Sequence, residues 1–344
     1  MEYDRQMKIA YIGNGKSTNR YHIPFVLKHP EIMQIKYIYR RNPDHDKWKK
    51  VDGIEYICNL EQILKDPEIN LVVVCTGHDS HFAYAKMILD AGKNCMVEKP
   101  FMENTQQAKE IFALADAKGL FCSAYQNRRY DSDFLTVQKV IETGKLGELL
   151  ELEMHFDYYR PEVPEAMHEF NPIFSYLYGH GSHTLDQVIS YFGRPDRINY
   201  DVRQLLGNGR MNDYYDIDLY YGKFKISVKS SYFRVKARPS FVVYGKKGMF
   251  VKESKDKQEE DLKRFYMPNH DDFGMDLPQD YGTLIYYDEQ GQYHEEKVVS
   301  ERGDYSRVYT SAYETIMNGH PQVVTHEQTL LLMEMLENGI KGLK

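Results

Sequence analysis

Cysteine is scarce. The four in 344 residues, Cys58, Cys75, Cys95 and Cys122, include no C-x-x-C pair and no zinc-type spacing, so neither a disulfide framework nor a structural zinc site is expected. All four sit in or beside short apolar runs and read as reduced, buried thiols. No apolar run approaches the roughly eighteen residues of a membrane span. The opening Met1-Glu2-Tyr3-Asp4-Arg5-Gln6 is too polar for a signal peptide, and a cytoplasmic location is the expectation. Basic charge is not in excess: 44 Lys and Arg against 51 Asp and Glu leave a net charge of −7. That balance argues against a nucleic-acid or anionic-membrane partner and for a small molecule. Internal repeats and low-complexity segments are also missing.

What is present describes a folded protein of more than one core. Hydrophobic residues at 42% and charged residues at 28% exclude disorder and filamentous folds. The length exceeds what one core usually organises, so two domains are expected. Tyrosine is abundant, 29 in all. Many lie beyond residue 150 at alternating positions, as a large half-exposed sheet with an interface or substrate face requires.

The first 124 residues alternate short β-like runs with helical stretches, the pattern of βαβ units and a parallel sheet. Strands are expected at 8–12, 34–39, 55–58, 71–75, 94–97 and 121–124. The runs Ile9 to Ile12 and Leu71 to Cys75 are apolar on both faces and should be central. Helices are expected over 19–29, 82–91 and 105–118, the last two ending at Gly92 and Gly119 where a left-handed cap belongs. From 125 to 344 one helix, 133–143, leads into alternating segments typical of an antiparallel sheet, at 149–157, 197–205, 213–221, 224–232, 241–244, 249–252, 283–288 and 293–299. Gly222-Lys223 suits a type II′ hairpin that sets Ile217 opposite Val228, Leu219 opposite Ile226 and Asp216 opposite Lys229. The charged stretch 253–263 reads as a solvated loop. Helices 305–318 and 325–340 close the chain, the second opening on a Thr325-x-x-Gln328 capping box.

Gly13-Asn14-Gly15-Lys16-Ser17-Thr18 directly follows the first strand and precedes a helical stretch, the position of a dinucleotide-binding turn. Gly13 permits a tight turn and Gly15 lets the backbone approach a pyrophosphate, while the third glycine of G-x-G-x-x-G is replaced by Thr18. A nucleotide-triphosphate P-loop would need glycine at position 10, which is Ala10. The second strand ends in Tyr39-Arg40-Arg41-Asn42, with no carboxylate to hold a ribose 2′-hydroxyl. Arg40 and Arg41 instead suit a 2′-phosphate, which favours NADP(H) over NAD(H).

The run Cys75-Thr76-Gly77-His78-Asp79-Ser80-His81, then Ala91-Gly92-Lys93, then Val97-Glu98-Lys99-Pro100-Phe101 resembles the Gfo/Idh/MocA family of NAD(P)-dependent oxidoreductases, in which a C-T-P-x-x-x-H loop and an E-K-P signature recur in that order. Tyr125-Gln126-Asn127-Arg128-Arg129, Gly144-Lys145-Leu146-Gly147-Glu148 and Gly181-x-His183-x-x-Asp186 are similar to the same family. The glycine loop with the paired arginines resembles its YhhX-type branch. The resemblance implies an α/β chain: an N-terminal Rossmann domain with a doubly wound parallel sheet, and a C-terminal α/β domain with a large, open, mostly antiparallel sheet used for homodimer or homotetramer formation. It also implies hydride transfer at a hydroxyl or carbonyl carbon of a sugar-like or other polar substrate.

On that resemblance Lys16, Ser17 and Thr18 lie near the pyrophosphate, Thr76 also contacts cofactor, and His81, Glu98 and Asn127 line the nicotinamide side. Lys99 is the proton donor or acceptor; just past a buried strand, near a cationic nicotinamide and partly desolvated, its pKa would fall into a useful range. His183 opens a helix with Asp186 on the same face; the helix terminus favours neutral imidazole and the carboxylate favours imidazolium. His180 and His183 lack a third metal ligand, so no metal is expected. The resemblance makes His183 and Asp186 catalytic alongside Lys99, with His183 orienting or assisting. Many family dehydrogenases carry an aspartate four residues before this histidine, where this chain has Gly179, so either Asp186, His180 or Tyr178 orients substrate or a reduced apparatus suits carbonyl reduction. A redox-neutral, NAD-dependent glycosidase-like reaction and a non-enzymatic NADP(H) sensor are the alternative readings.

Overall fold

The computed structural model describes residues 6–42, 44, 47–162 and 169–343. Residues 1–5, which bear on the signal-peptide reading, lie outside them. No helix among the described residues is long and apolar enough to cross a membrane. The chain forms two compact units. One takes the chain up to Asn127 together with Asp261–Phe273 and Tyr305–Met333; the other takes Arg128–Glu260, Gly274–Asp304 and the segment from Glu334. A single change of hands at 124/125 is therefore replaced by a first crossing three residues later and two returns. Long-range bonds hold the returning helix in the first unit: the Tyr11 hydroxyl donates to that of Tyr309 at 2.9 Å.

The first unit is a six-stranded parallel sheet in the order β3-β2-β1-β4-β5-β6, with β1 Met7–Ile12, β2 Met33–Tyr39, β3 Glu55–Ile57, β4 Leu71–Val74, β5 Asn94–Val97 and β6 Cys122–Ala124. This is the doubly wound order whose switch point falls between β1 and β4. Every residue of β4 is buried, and β4 pairs in register with Ile9 to Ile12 of β1, as two apolar faces require. Short helices α1 Ile23–Val26 and α2 Glu61–Lys65 accompany the longer α3 His81–Asp90 and α4 Thr105–Lys118. α4 begins where the Asn104 side chain accepts from Gln107 N at 2.9 Å and stops at Gly119, φ +63°.

The expected helix 19–29 is instead a π-helical turn, Thr18–His22, running into α1. Pro24 accounts for the change: it has no N–H for the carbonyl of Arg20, and its ring crowds that carbonyl, so Ile23 N reaches back to Thr18 O instead. A second correction concerns cysteine. Cys75, Cys95 and Cys122 are buried, but Cys58 is exposed because it lies one residue beyond the short edge strand β3.

The second unit is an eight-stranded mixed sheet, ordered β14-β13-β12-β11-β7-β10-β9-β8. Its strands are β7 Leu149–His155, β8 Arg197–Arg203, β9 Tyr214–Tyr221, β10 Phe224–Ser231, β11 Phe241–Gly245, β12 Gly248–Lys252, β13 Gly282–Tyr287 and β14 Tyr293–Val298. β7 and β10 run parallel and the other pairs antiparallel. The β9–β10 register pairs Ile217 with Val228, Leu219 with Ile226 and Asp216 with Lys229. Gly222 has φ +59° while Lys223 stays out of the left-handed region, which selects the II′ turn. One face of this hairpin buries Tyr215, Ile217, Leu219, Ile226 and Val228; the other carries charge, with Lys225 on Glu151 at 2.8 Å and Lys229 on Asp216 at 3.3 Å.

Helix α5 Ser132–Glu142 packs on β11 and β12, where the Phe134 ring stacks on Phe241 at 6.0 Å. Helix α6 Ser182–Phe192 is buried from Ser182 to Ile189. The stretch expected as a solvated loop contains α7 Gln258–Lys263, and Asp256, Gln258 and Leu262 within it are buried. Asp256 is held inside because it accepts from the backbone N–H of Ser132 at 2.7 Å and of Gln258 at 2.8 Å, replacing the water it gives up. Helices α8 Ser306–Asn318 and α9 His326–Ile340 follow, the latter behind a formed capping box in which Gln328 N donates to Thr325 Oγ1 at 3.2 Å and Thr325 N donates to Gln328 Oε1 at 3.3 Å.

The second unit also buries the Lys252–Asp276 ion pair. Lys252, with no exposed surface, donates to Asp276 Oδ2 at 2.7 Å, Ser254 Oγ at 2.6 Å and the carbonyl of Asp280 at 2.7 Å, so all three of its N–H groups are used. Asp276→Ala leaves that ammonium buried without its counter-charge and should cost about 3–5 kcal/mol in denaturant unfolding. Adding Lys252→Met should recover part of the loss; a double variant as unstable as the sum of the two singles would contradict this.

Candidate functional site

The nucleotide loop is built by its own backbone. Gly13 N donates to Tyr39 O at 3.0 Å, joining the loop to the end of β2. Gly13 has φ +112°, and a Cβ on it would stand 2.5 Å from the carbonyl oxygen of Cys75, so only glycine fits between β1 and β4. Around Gly15 there is open space within 4 Å. The Thr18 hydroxyl donates to Gly13 O at 2.7 Å, and the Asn19 amide donates to Asn14 Oδ1 and Gly15 O, each at 2.9 Å.

This loop forms one wall of a cleft of about 670 Å³. Gly13, Gly15, Lys16 and Ser17 line it from β1, Arg40 and Arg41 from β2, and Thr76 from β4. The structure thus brings seven of the expected cofactor residues to one cavity at the carboxyl edge of the sheet, the place where open α/β sheets bind ligands. Arg40 lies with its guanidinium 5.9 Å from the Tyr56 ring centroid, and Lys16 and Arg41 are exposed. The only carboxylate lining the cleft among the described residues, Asp79, is on the β4 side and not at the end of β2. A cradle that a Cβ would close at Gly13, open space at Gly15 and a cationic lip fit a nicotinamide dinucleotide.

The other expected cofactor residues are placed differently. Thr18 is fully buried with its hydroxyl spent on the loop. His81 is also fully buried; its Nδ1 hydrogen-bonds the carbonyl of Pro100 at 3.0 Å, and burial lowers its pKa and keeps the ring neutral. Asn127 is 6% exposed at the head of a tight turn, Asn127–Tyr130.

Glu98 follows β5 and turns its carboxylate inward. Its Oε1 accepts from His22 Nε2 at 2.9 Å and from the Ser17 hydroxyl, and its Oε2 from the backbone N–H of Lys99 at 2.9 Å. Burial opposes its charge, but the His22 hydrogen bond, the Lys99 ammonium and the Ser17 hydroxyl outweigh it, and the pKa falls to about 2. Beyond His22, Nδ1 meets the Tyr309 hydroxyl at 2.5 Å. Tyr11, Tyr309, His22 and Glu98 thus form one continuous hydrogen-bonded series. His22, Tyr11 and Tyr309 escaped the sequence reading because they come from three distant places in the chain; the E-K-P glutamate was the one available signal. Lys99 is half-buried beside this carboxylate, at the same sheet edge as the cleft.

In the second unit His183 is 7% exposed in the first turn of α6. Asp186 on the same helix, expected as a catalytic or substrate-orienting group, is 1% exposed, and Arg129 takes both its oxygens, Nε to Oδ2 at 2.8 Å and NH2 to Oδ1 at 2.7 Å. Of the other two candidates to orient substrate, Tyr178 is fully buried and burial pushes its phenol pKa up. His180 is partly exposed among the rings of Tyr158 at 5.0 Å, Tyr176 at 4.7 Å and Phe156 at 5.7 Å. Nothing lies within 4 Å of the position a Cβ on Gly179 would take, so the missing aspartate is not a matter of space.

Comparison with known proteins agrees with this architecture. Residues 7–126 match the family model described as oxidoreductase family, NAD-binding Rossmann fold, and residues 138–342 the model for the oxidoreductase family C-terminal alpha/beta domain. The chain is 46% identical over 333 residues to the uncharacterized oxidoreductase YhhX of Escherichia coli strain K12, covering 96% of this chain and 95% of that one. It is 30% identical over 339 residues to scyllo-inositol 2-dehydrogenase (NADP(+)) IolW of Bacillus subtilis strain 168, covering 98% and 94%. A crystal structure of a probable oxidoreductase yhhX superposes with a TM-score of 0.93 at 45% identity, over 97% of this chain and 96% of that chain. With family models over both parts of the chain and a relative this similar along its whole length, the chain belongs to the Gfo/Idh/MocA family of NAD(P)-dependent oxidoreductases.

Proposed function

We propose that the protein is a cytoplasmic, NADP(H)-dependent oxidoreductase that acts on a hydroxyl or carbonyl carbon of a sugar-like or other polar small molecule. The observation that carries the cofactor preference is the pair Arg40 and Arg41 lining the cleft at the end of β2, where a carboxylate would select NAD(H). The NADP(+) in the name of the Bacillus subtilis relative, and the cyclitol it is named for, support the same reading. When bound, the dinucleotide supplies hydride exchange at its nicotinamide ring. The chain's own part is to hold and to move protons. Gly13, Gly15, Lys16 and Ser17 receive the pyrophosphate, Arg40 and Arg41 clamp the 2′-phosphate, and Thr76 closes the cleft from the β4 side.

Lys99 gives a proton to the carbonyl oxygen in reduction and takes it from the hydroxyl in oxidation. Its backbone is fixed by the bond from its N–H to Glu98. His183 orients the substrate oxygen, held in α6 by the Arg129–Asp186 pair one turn on. The tyrosine-rich outer positions of the eight-stranded sheet, with Tyr244, Tyr287 and Tyr293 each more than a third exposed, suit a homodimer or homotetramer contact.

Two experiments test this reading. Arg40→Asp should weaken NADPH binding in a fluorescence titration by roughly tenfold to a hundredfold, the cost of charge-assisted bonds to one phosphate, and bring NADH level with it. Wild-type protein that prefers NADH would overturn the assignment. Lys99→Ala should bind NADPH nearly as wild type does while turnover falls about 10²–10⁴-fold, read at the nicotinamide absorbance band against a panel of sugars, cyclitols and dicarbonyls. Near-wild-type turnover in that variant would remove the proton-transfer role.

A further inference from the structure

The first unit holds a second cavity, of about 740 Å³, that shares no lining residue with the nucleotide cleft. Its size is that of a small-molecule site. The walls are apolar: Ile23, Pro24 and Leu27 from α1 and its end, Trp48 from the segment after β2, and Phe265 and Met267 from the stretch that returns late in the chain. Two of these side chains stand in water where a monomer would be expected to cover them, Phe265 at 57% and Leu27 at 48% exposed.

Phe265 is also the one non-glycine residue among the described residues with a left-handed backbone, φ +61°. A bulky aromatic in that conformation costs energy, and such strain persists where the position serves a purpose. The strained backbone sets the Phe265 ring 6.3 Å from the Trp48 indole, at 51° to it. Arg20 lies against both rings, its guanidinium 5.6 Å from the Trp48 ring centroid and 4.9 Å from that of Phe265. The wall is thus an aromatic corner backed by a cation.

The polar part of the lining has one sign. Lys28, Lys47 and Lys49 line the cavity together with the amides of Asn19 and Asn269, and among the described residues no carboxylate does. We propose that this cavity is a second ligand site that takes a small amphipathic carboxylate, its apolar chain or ring against Trp48, Phe265 and Leu27 and its anionic end at the lysines. Asn19 connects the site to the nucleotide loop, because the same side chain donates to Asn14 and Gly15.

Trp48 is the only tryptophan in the chain, so its fluorescence reports this cavity alone. The full-length protein titrated with decanoate should give a saturable change with one site per chain, and the same change at saturating NADP+. Neutral decanamide should bind about tenfold more weakly or worse, as loss of a charge-assisted contact implies. Leu27→Glu, on an exposed position, should weaken decanoate by at least about tenfold on the same grounds while its NADP+ affinity and circular dichroism match wild type. The proposal is overturned if decanoate gives no saturable signal, if NADP+ displaces it, if decanamide binds equally, or if Leu27→Glu binds like wild type. A subunit count by light scattering that falls in Leu27→Glu would also overturn it, by placing a second copy of the chain over the cavity.

Discussion

One buried carboxylate ties the cofactor half of this protein together. Glu98 leaves the end of β5 and accepts hydrogen bonds from three parts of the chain: Ser17 at the nucleotide loop, His22 in the π-helical turn behind it, and the backbone N–H of Lys99. A carboxylate that is 8% exposed is expensive to ionise, so its partners must be in place for the charge to persist. They are, and the pKa falls to about 2. A carboxyl held below its unfolded value contributes stability that is complete above that value and is lost as pH falls through the folded one, so this tie holds throughout the neutral range.

Several features follow from that constraint. The π-helical turn forced by Pro24 brings His22 round to face Glu98, and Tyr309 on the returning helix α8 meets the far side of the imidazole. The late return of the chain to the first unit is thereby linked, through His22, to the carboxylate that holds the loop. Ser17 in the loop and Lys99 after the strand are both fixed by Glu98, so the two groups the proposal assigns to cofactor and to proton transfer share one support. In the second unit the equivalent device is the Arg129–Asp186 pair, which fixes α6 and with it His183.

Much of the fold was legible because local signals agreed with one another. The Gly222-Lys223 turn and the alternation on either side of it set the β9–β10 register, and the Thr325-Gln328 box marked the start of α9, since both depend on residues a few positions apart. The seven cleft residues were legible for the same reason: each sits at the end of a strand that could be recognised by itself. What escaped depended on contacts between distant residues. The stretch 253–263 reads as solvated by charge, but Asp256 is drawn inside by Ser132, more than a hundred positions away. Asp186 looked like a partner for His183 three residues before it, and Arg129 claimed it. The His22–Tyr309 link spans most of the chain. No periodicity or motif announces such pairs.

The central claim is that the Glu98 charge holds the nucleotide loop in its binding shape, and Glu98→Gln tests it most directly because the amide keeps the size and removes the charge. The measurement is the NADPH dissociation constant of the purified variant, with its melting temperature taken alongside. The account predicts a dissociation constant raised roughly tenfold to a hundredfold, the loss expected for hydrogen bonds to a charged group, and a lowered melting temperature. A variant that binds NADPH as tightly as wild type and melts at the same temperature would contradict it.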